Sequence, residues 1–121
     1  MNYIQSHKTG ALITAAVRMG AIAGGAGEKE LASLTEYGER LGASFQAVDD
    51  ILNATSTPEQ LGKSVGTDKA HDKLTCVSVY GIDKTRAMAG KQRDAAIVAL
   101  SGLPAAEPLV AMAQFVVSRA R

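Results

Sequence analysis

With 121 residues, 46% of them hydrophobic, the chain suits one small domain with a modest core and is too apolar for a disordered segment. Thirteen Lys and Arg against 12 Asp and Glu leave a net charge of +1, which argues against a nucleic-acid binder driven by general positive charge; aromatic residues at 4% and the lack of Trp argue against a base-stacking platform. A single cysteine, Cys76, rules out a disulfide framework or a cysteine-built zinc site and points to a reducing cytoplasm.

The opening stretch, MNYIQSHKTG, has no apolar run behind a basic patch and does not read as a signal peptide. No apolar stretch is long enough for a membrane span. The first helix is expected from about Tyr3 to Ala23, ended by the GGAG at 24–27, because Gly supplies the backbone conformations of a helix C-terminus. A second helix is expected from about Glu28 to Ala54. Its Leu31, Leu34, Leu41, Phe45, Val48 and Leu52 recur at three-and-four spacing and form one stripe, and Glu28 and Glu30 favour its first turn. TPEQLG, after Thr57, reads as a short helical turn with Pro58 at its start, and GKSVGTDKAHDK as a polar, Gly-punctuated loop. KLTCVSVYG could alternate like a strand at Val77, Val79 and Tyr80, but it is short and lies between helical patterns, so it reads as a third helix ending at Gly81. Asp83 looks like the N-cap of a fourth helix, KTRAMAGKQRDAAIVALSG. Pro104 and Pro108 frame a turn before a last helix, LVAMAQFVVSRAR. The sum is a single all-α domain, a bundle of about five helices with short connections.

Chemistry concentrates on the second helix. Gln46, Asp49 and Asn53 are three and four residues apart and share one face, while Asp50 lies about 100° round from Asp49. Oxygen donors at this spacing suit a hard cation such as Mg2+, usually completed by substrate phosphates and water. The same string also describes two solvated carboxylates beside an apolar stripe. Lys8, Lys63 and Lys73 stand at punctuated places, and each is either a phosphate contact or a solvated surface lysine. His7 and His71 read as ordinary polar residues, and no Ser-His or Cys-His arrangement offers a nucleophile.

The order of these features resembles one family. HKTGALITAAVRMGA, YGERLGASFQAVDDILN and LGKSVGTDKAHDKLTCVSVYG resemble the polyprenyl (isoprenyl) diphosphate synthases of the farnesyl and geranylgeranyl type, with FQxxDD followed by GKxxGxD the most specific part. The resemblance implies the second half of the all-α isoprenoid synthase fold. It implies a prenyltransferase of isoprenoid biosynthesis that condenses an allylic diphosphate with isopentenyl diphosphate by Mg2+-assisted loss of pyrophosphate. By the same resemblance Asp49 is a ligand of Mg2+, Asp50 belongs to the same Asp-rich motif and is expected at the metal with it, and Asp68 stands behind the metal's own ligands. Lys8, Lys63 and Lys73 contact diphosphate, Thr9 and Gln46 are polar residues of that site, and Phe45 packs beside the allyl chain. Mg2+ and lysines aimed at the departing pyrophosphate would stabilise the charge that develops there.

Two departures from the family pattern qualify this. Asn53 stands where the motif usually has a third Asp, keeping one oxygen but losing the charge. No second DDxxD occurs in the 121 residues, and the sequence starts roughly where the family's second half does. The expectation is therefore a truncated synthase domain, with weak or partner-dependent Mg2+ binding and no activity alone. Its expected ligands are isoprenyl diphosphates or pyrophosphate, and its expected protein partner is a second copy or a complementary synthase chain. The alternative is a non-catalytic small or regulatory subunit, or a truncated interaction protein that oligomerises through an uncovered helix face.

Overall fold

A computed structural model describes residues 3–55 and 75–120, without the side chains of residues 3–7. Among the described residues all regular structure is helical: α1 (Tyr3–Ala23), α2 (Glu28–Thr55), α3 (Cys76–Tyr80), α4 (Ile82–Ala99) and α5 (Glu107–Ser118). The all-α expectation holds, including the helical reading of CVSVY. TPEQLG and the loop at 62–73 lie outside the described residues.

α1 ends as its glycines require. Gly25 takes φ 82°, its N–H donates to the Ile22 carbonyl, and the Ala26 N–H reaches the Ala21 carbonyl. These two bonds satisfy carbonyls that the end of the helix leaves open. α2 then starts at once, with Glu30 Oε1 accepting from the Gly27 N–H at 2.9 Å.

α2 is the axis of the bundle. It packs against α1, α3, α4 and α5. Its burial is broader than the single expected stripe: Tyr37, Gly38, Gly42, Ser44, Ala47 and Ile51 are buried beside Leu41 and Val48. Polar groups lost from water on the way in are paired, as burial demands. Tyr37 donates its hydroxyl to the Leu109 carbonyl at 2.8 Å, joining α2 to the start of α5. Ser44 donates to the Ala89 carbonyl at 3.0 Å, joining α2 to α4.

The α1–α2 contact is made by residues without bulk. A Cβ at Gly42 would lie 3.2 Å from Gly10 Cα, and one at Gly38 would lie 3.1 Å from Thr14 Cα. Gly38 and Gly42, one turn apart, therefore let two backbones approach more closely than any larger residue would allow. Arg18 adds a lateral bond, donating to Thr35 Oγ1 at 2.7 Å.

The later helices differ from expectation at their starts. α4 begins at Ile82, with Gly81 rather than Asp83 at its cap position. Gly81 turns the chain at φ 86°, so the helix starts immediately, and Asp83 falls in its first turn, where a negative charge still suits the dipole. α5 begins at Glu107, so Pro108 lies inside its first turn instead of framing the preceding one. Proline is tolerated there because first-turn N–H groups have no partner within the helix. The last helix ends at Ser118, with Arg119 as its cap residue.

α1 is only half covered. Its Ile13 and Val17 pack on the core, while Leu12, Met19 and Ile22 are 70%, 65% and 59% exposed. A helix apolar on both sides matches burial on both sides, and the described residues cover one. No described helix is long and apolar enough to cross a membrane.

Candidate functional site

The candidate residues lie where the C-terminal half of α2 runs beside the first turns of α1. Gly42 faces Gly10 and Gly38 faces Thr14, so the two helices are antiparallel. Moving along α2 to Gln46 and Asp49 therefore moves back along α1, toward its beginning. Lys8 and Thr9 lie on that stretch, Lys8 exposed and Thr9 half-buried. The close glycine contact thus sets the spacing between the α1 and α2 members of the expected site.

The two aspartates differ in environment. Asp49 is half-buried and already engaged with a partner. Asp50 is only 4% exposed. Its Oδ1 accepts from Gln46 Nε2 at 3.3 Å and its Oδ2 from the backbone N–H of Cys76 at 3.2 Å. Gln46 precedes Asp50 by one helical turn, the separation at which side chains on one helix meet. Cys76 opens α3. Its N-terminus is further held by a reciprocal cap: Ser78 N–H donates to Thr75 Oγ1 at 3.1 Å, and Thr75 N–H donates to Ser78 Oγ at 2.8 Å. The Cys76 thiol is pushed above its usual range, first by burial and then by the Asp50 carboxylate beside it.

Asn53 is half-buried on the face of Gln46 and Asp49. Phe45 turns toward the core, and the Arg119 guanidinium covers its ring, 4.8 Å from the centroid. That stacked pair, a cation–π contact, joins α2 to the end of α5. Lys63, Asp68 and Lys73 lie outside the described residues, as does His71. Of the expected constellation, the structure places Gln46, Asp49, Asp50 and Asn53 together, with Lys8 and Thr9 on the neighbouring helix.

Toward a hard cation the described part of the site offers little. Among the described residues no cluster of three or more His, Cys, Asp or Glu is gathered to hold a metal. Asp50 has both oxygens partnered and is shut from solvent, whereas Asp49 is only half-buried, so Asp49 is the more accessible of the two carboxylates. One carboxylate fits the way Mg2+ is usually held, through one or two protein oxygens, several waters and substrate phosphates. It does not fit a metal caged by protein alone. A cleft of about 510 Å³ between α4 and α5 is lined by Arg86, Arg93, Gln114 and Phe115 among others, and by none of the candidate residues among those described.

Two contributors had no signal in the sequence pattern. The Cys76 backbone N–H is an unlabelled donor, found only once α3 is docked on α2. Arg119 is one of two arginines at the C-terminus, and nothing in its spacing ties it to Phe45.

Comparison with known proteins bears on the same elements. The chain is 40% identical over 121 residues to geranylgeranyl pyrophosphate synthase 12, chloroplastic, of Arabidopsis thaliana, an alignment covering 98% of this chain and 34% of that protein. It is 40% identical to the geranylfarnesyl diphosphate synthase of Leucosceptrum canum, over 98% of this chain and 33% of that one. It is 39% identical to the dimethylallyltranstransferase of Fischerella ambigua, over 98% and 35% respectively. The chain thus spans about a third of the length of the curated relatives it matches. The sequence profile of the polyprenyl synthetase family matches residues 2–100, which include α1 to α4 and every candidate site residue. The chain belongs to the polyprenyl synthetase family.

Proposed function

We propose that these 121 residues form one diphosphate-binding wall of a prenyltransferase of isoprenoid biosynthesis, the wall that presents Mg2+ and lysines to a departing pyrophosphate. Asp49 holds the Mg2+, with Asn53 a weaker, uncharged oxygen one turn on. Lys8, Lys63 and Lys73 hold diphosphate oxygens, and Asp68, Thr9 and Gln46 complete the polar surface. The metal, when bound, neutralises charge on the leaving pyrophosphate; the chain's own residues position that group. The observation that carries this reading is the juxtaposition of the Gln46–Asp49–Asn53 face with the Lys8–Thr9 stretch of α1, within the span that the family profile matches.

Condensation needs a second diphosphate held in register with the first. Positioning two reactants is worth roughly 7–11 kcal/mol of barrier. No second DDxxD occurs in these residues, so the second site comes from residues outside them. The exposed Leu12, Met19 and Ile22 face of α1 is the surface that a complementary chain or a second copy covers. A homodimer of this chain duplicates one site and does not supply the other. The deciding experiment is turnover of dimethylallyl or geranyl diphosphate with isopentenyl diphosphate. We expect no product from the 121-residue chain alone, and product when a chain carrying the other Asp-rich motif is added. Robust product from the chain alone would refute the two-wall reading.

A non-catalytic, regulatory subunit is the second reading. The occupied, buried state of Asp50 favours it, because it leaves one carboxylate where a metal motif would present two. Such a subunit would alter a full-length synthase's rate without binding pyrophosphate itself.

A further inference from the structure

Adjacent aspartates in an Asp-rich motif invite the assumption that both serve the metal, and the geometry of Asp50 does not support that. Mg2+ demands near-octahedral oxygen geometry at about 2.0–2.1 Å and gives up its waters reluctantly. A carboxylate that is 4% exposed, with one oxygen accepting from Gln46 Nε2 and the other from the Cys76 N–H, has no hydrated approach. The same two bonds describe a different task. Cys76 is the first residue of α3, and its N–H has no partner inside that helix. Asp50 supplies the partner from α2. Asp50 therefore ties the start of α3 back to α2 with a hydrogen bond, beside the packing contacts between the two helices.

We propose that Asp50 is a positioning residue and not a metal ligand: it ties the N-terminus of α3 to α2 beside Asp49, and so sets where the chain returns to the candidate site. The tether stands on the two hydrogen bonds alone. Its consequence for Mg2+ and diphosphate rests on the function proposed above. Gln46 serves the same tether by holding the other carboxylate oxygen, which fixes the rotamer that points Oδ2 at Cys76.

Asn at position 50 preserves this arrangement, and that makes the idea testable. Its Oδ1 accepts from the Cys76 N–H, and its Nδ2 donates to Gln46 once that amide is flipped to present Oε1. Two measurements on the full 121-residue chain separate tether from ligand. The first is amide hydrogen exchange at Cys76 by NMR. We expect a protected amide in the wild type and in Asp50→Asn, and exchange about 10–100-fold faster in Asp50→Ala, the range for loss of a hydrogen bond to a charged group. The second is calorimetry of pyrophosphate binding as a function of Mg2+. We expect the Mg2+ midpoint of Asp50→Asn to stay within about threefold of wild type, and that of Asp49→Asn to rise tenfold or more, by analogy with losing a charge-bearing ligand.

An Asp50→Asn midpoint that rises as far as that of Asp49→Asn, with Cys76 still protected, would make Asp50 a ligand and overturn the proposal. An unprotected Cys76 amide in the wild type would overturn it as well, and that reading needs no variant, so misfolding of Asp50→Ala does not remove the test. If wild-type chain binds no pyrophosphate, the proposed function fails, while the exchange measurement still decides the tether.

Discussion

The contact between α1 and α2 makes a prediction in which the same chemical change has opposite effects on its two sides. Gly42→Ala places a methyl 3.2 Å from Gly10 Cα, a backbone atom that moves only if its helix moves. Gly10→Ala places a methyl where, among the described residues, nothing lies within 4 Å. Both sites are helical, so both substitutions gain about 0.8–1.0 kcal/mol of helix propensity. At Gly10 that gain stands alone, and Gly10→Ala should stabilise the chain by about that amount. At Gly42 it is opposed by overpacking, typically about 1–3 kcal/mol. The net for Gly42→Ala is therefore near zero to about 2 kcal/mol of destabilisation. Because the propensity terms cancel between the variants, their difference measures the overpacking itself. Urea unfolding at one fixed protein concentration reads this difference, the concentration being held because any self-association adds to apparent stability. The shift also has a place in the site, since prising α1 from α2 moves Lys8 and Thr9 away from Gln46 and Asp49. Gly42→Ala should then weaken pyrophosphate binding while Gly10→Ala leaves it unchanged. If Gly42→Ala proves as stabilising as Gly10→Ala, the two helices do not approach as closely as the structure has them.

Three further outcomes are expected. Burial raises the Tyr37 pKa above 10.0, so its contribution to stability is complete below pH 10 and is lost as pH climbs toward the folded value; in Tyr37→Phe this alkaline loss should be blunted, at a cost of about 0.5–1.5 kcal/mol at pH 7 for the hydrogen bond to Leu109. Asp49→Ala should abolish the Mg2+-dependent part of pyrophosphate binding in calorimetry, and equal binding by wild type and variant would remove Asp49 from the site. Light scattering should find the chain self-associated through the exposed α1 face, and Met19→Lys with Ile22→Lys should return it to a monomer; a wild-type monomer at high concentration that binds no apolar dye would contradict this.

The helices were legible in the sequence wherever apolar spacing or glycine punctuation carried them. α1 and α2 begin and end within a residue of expectation because GGAG and the Leu31–Leu52 stripe are strong local signals. The central place of α2 was harder to see. Hydrophobic periodicity reports large apolar side chains, and four of the nine residues that α2 buries are Gly, Ser or Ala. Gly38 and Gly42, spaced by four, were visible as residues, but their meaning came from the backbone they admit. The starts of α4 and α5 shifted for a similar reason. A glycine at positive φ and a proline in a first turn each end one segment and open the next, and side-chain signals alone do not say which residue does the turning.

The Asp49–Asp50 pair shows where motif reading and structure divide. Two neighbours on a helix point about 100° apart, so a metal that one of them meets squarely is off the axis of the other. A second carboxylate then needs its own justification, because a buried charge without partners is costly. Asp50 has partners: an amide from its own helix and an orphan N–H from the next. Those donors account for its burial without any cation. They also explain why a carboxylate suits the position better than a leucine that would continue the apolar stripe: a leucine would leave the Cys76 N–H unmet as α3 docks. The two neighbours of this DD string thus differ: Asp50 faces the fold, and Asp49 is the one proposed to meet ligand. Which is which follows from the element packed against the helix, and here α3 packs on the Asp50 side.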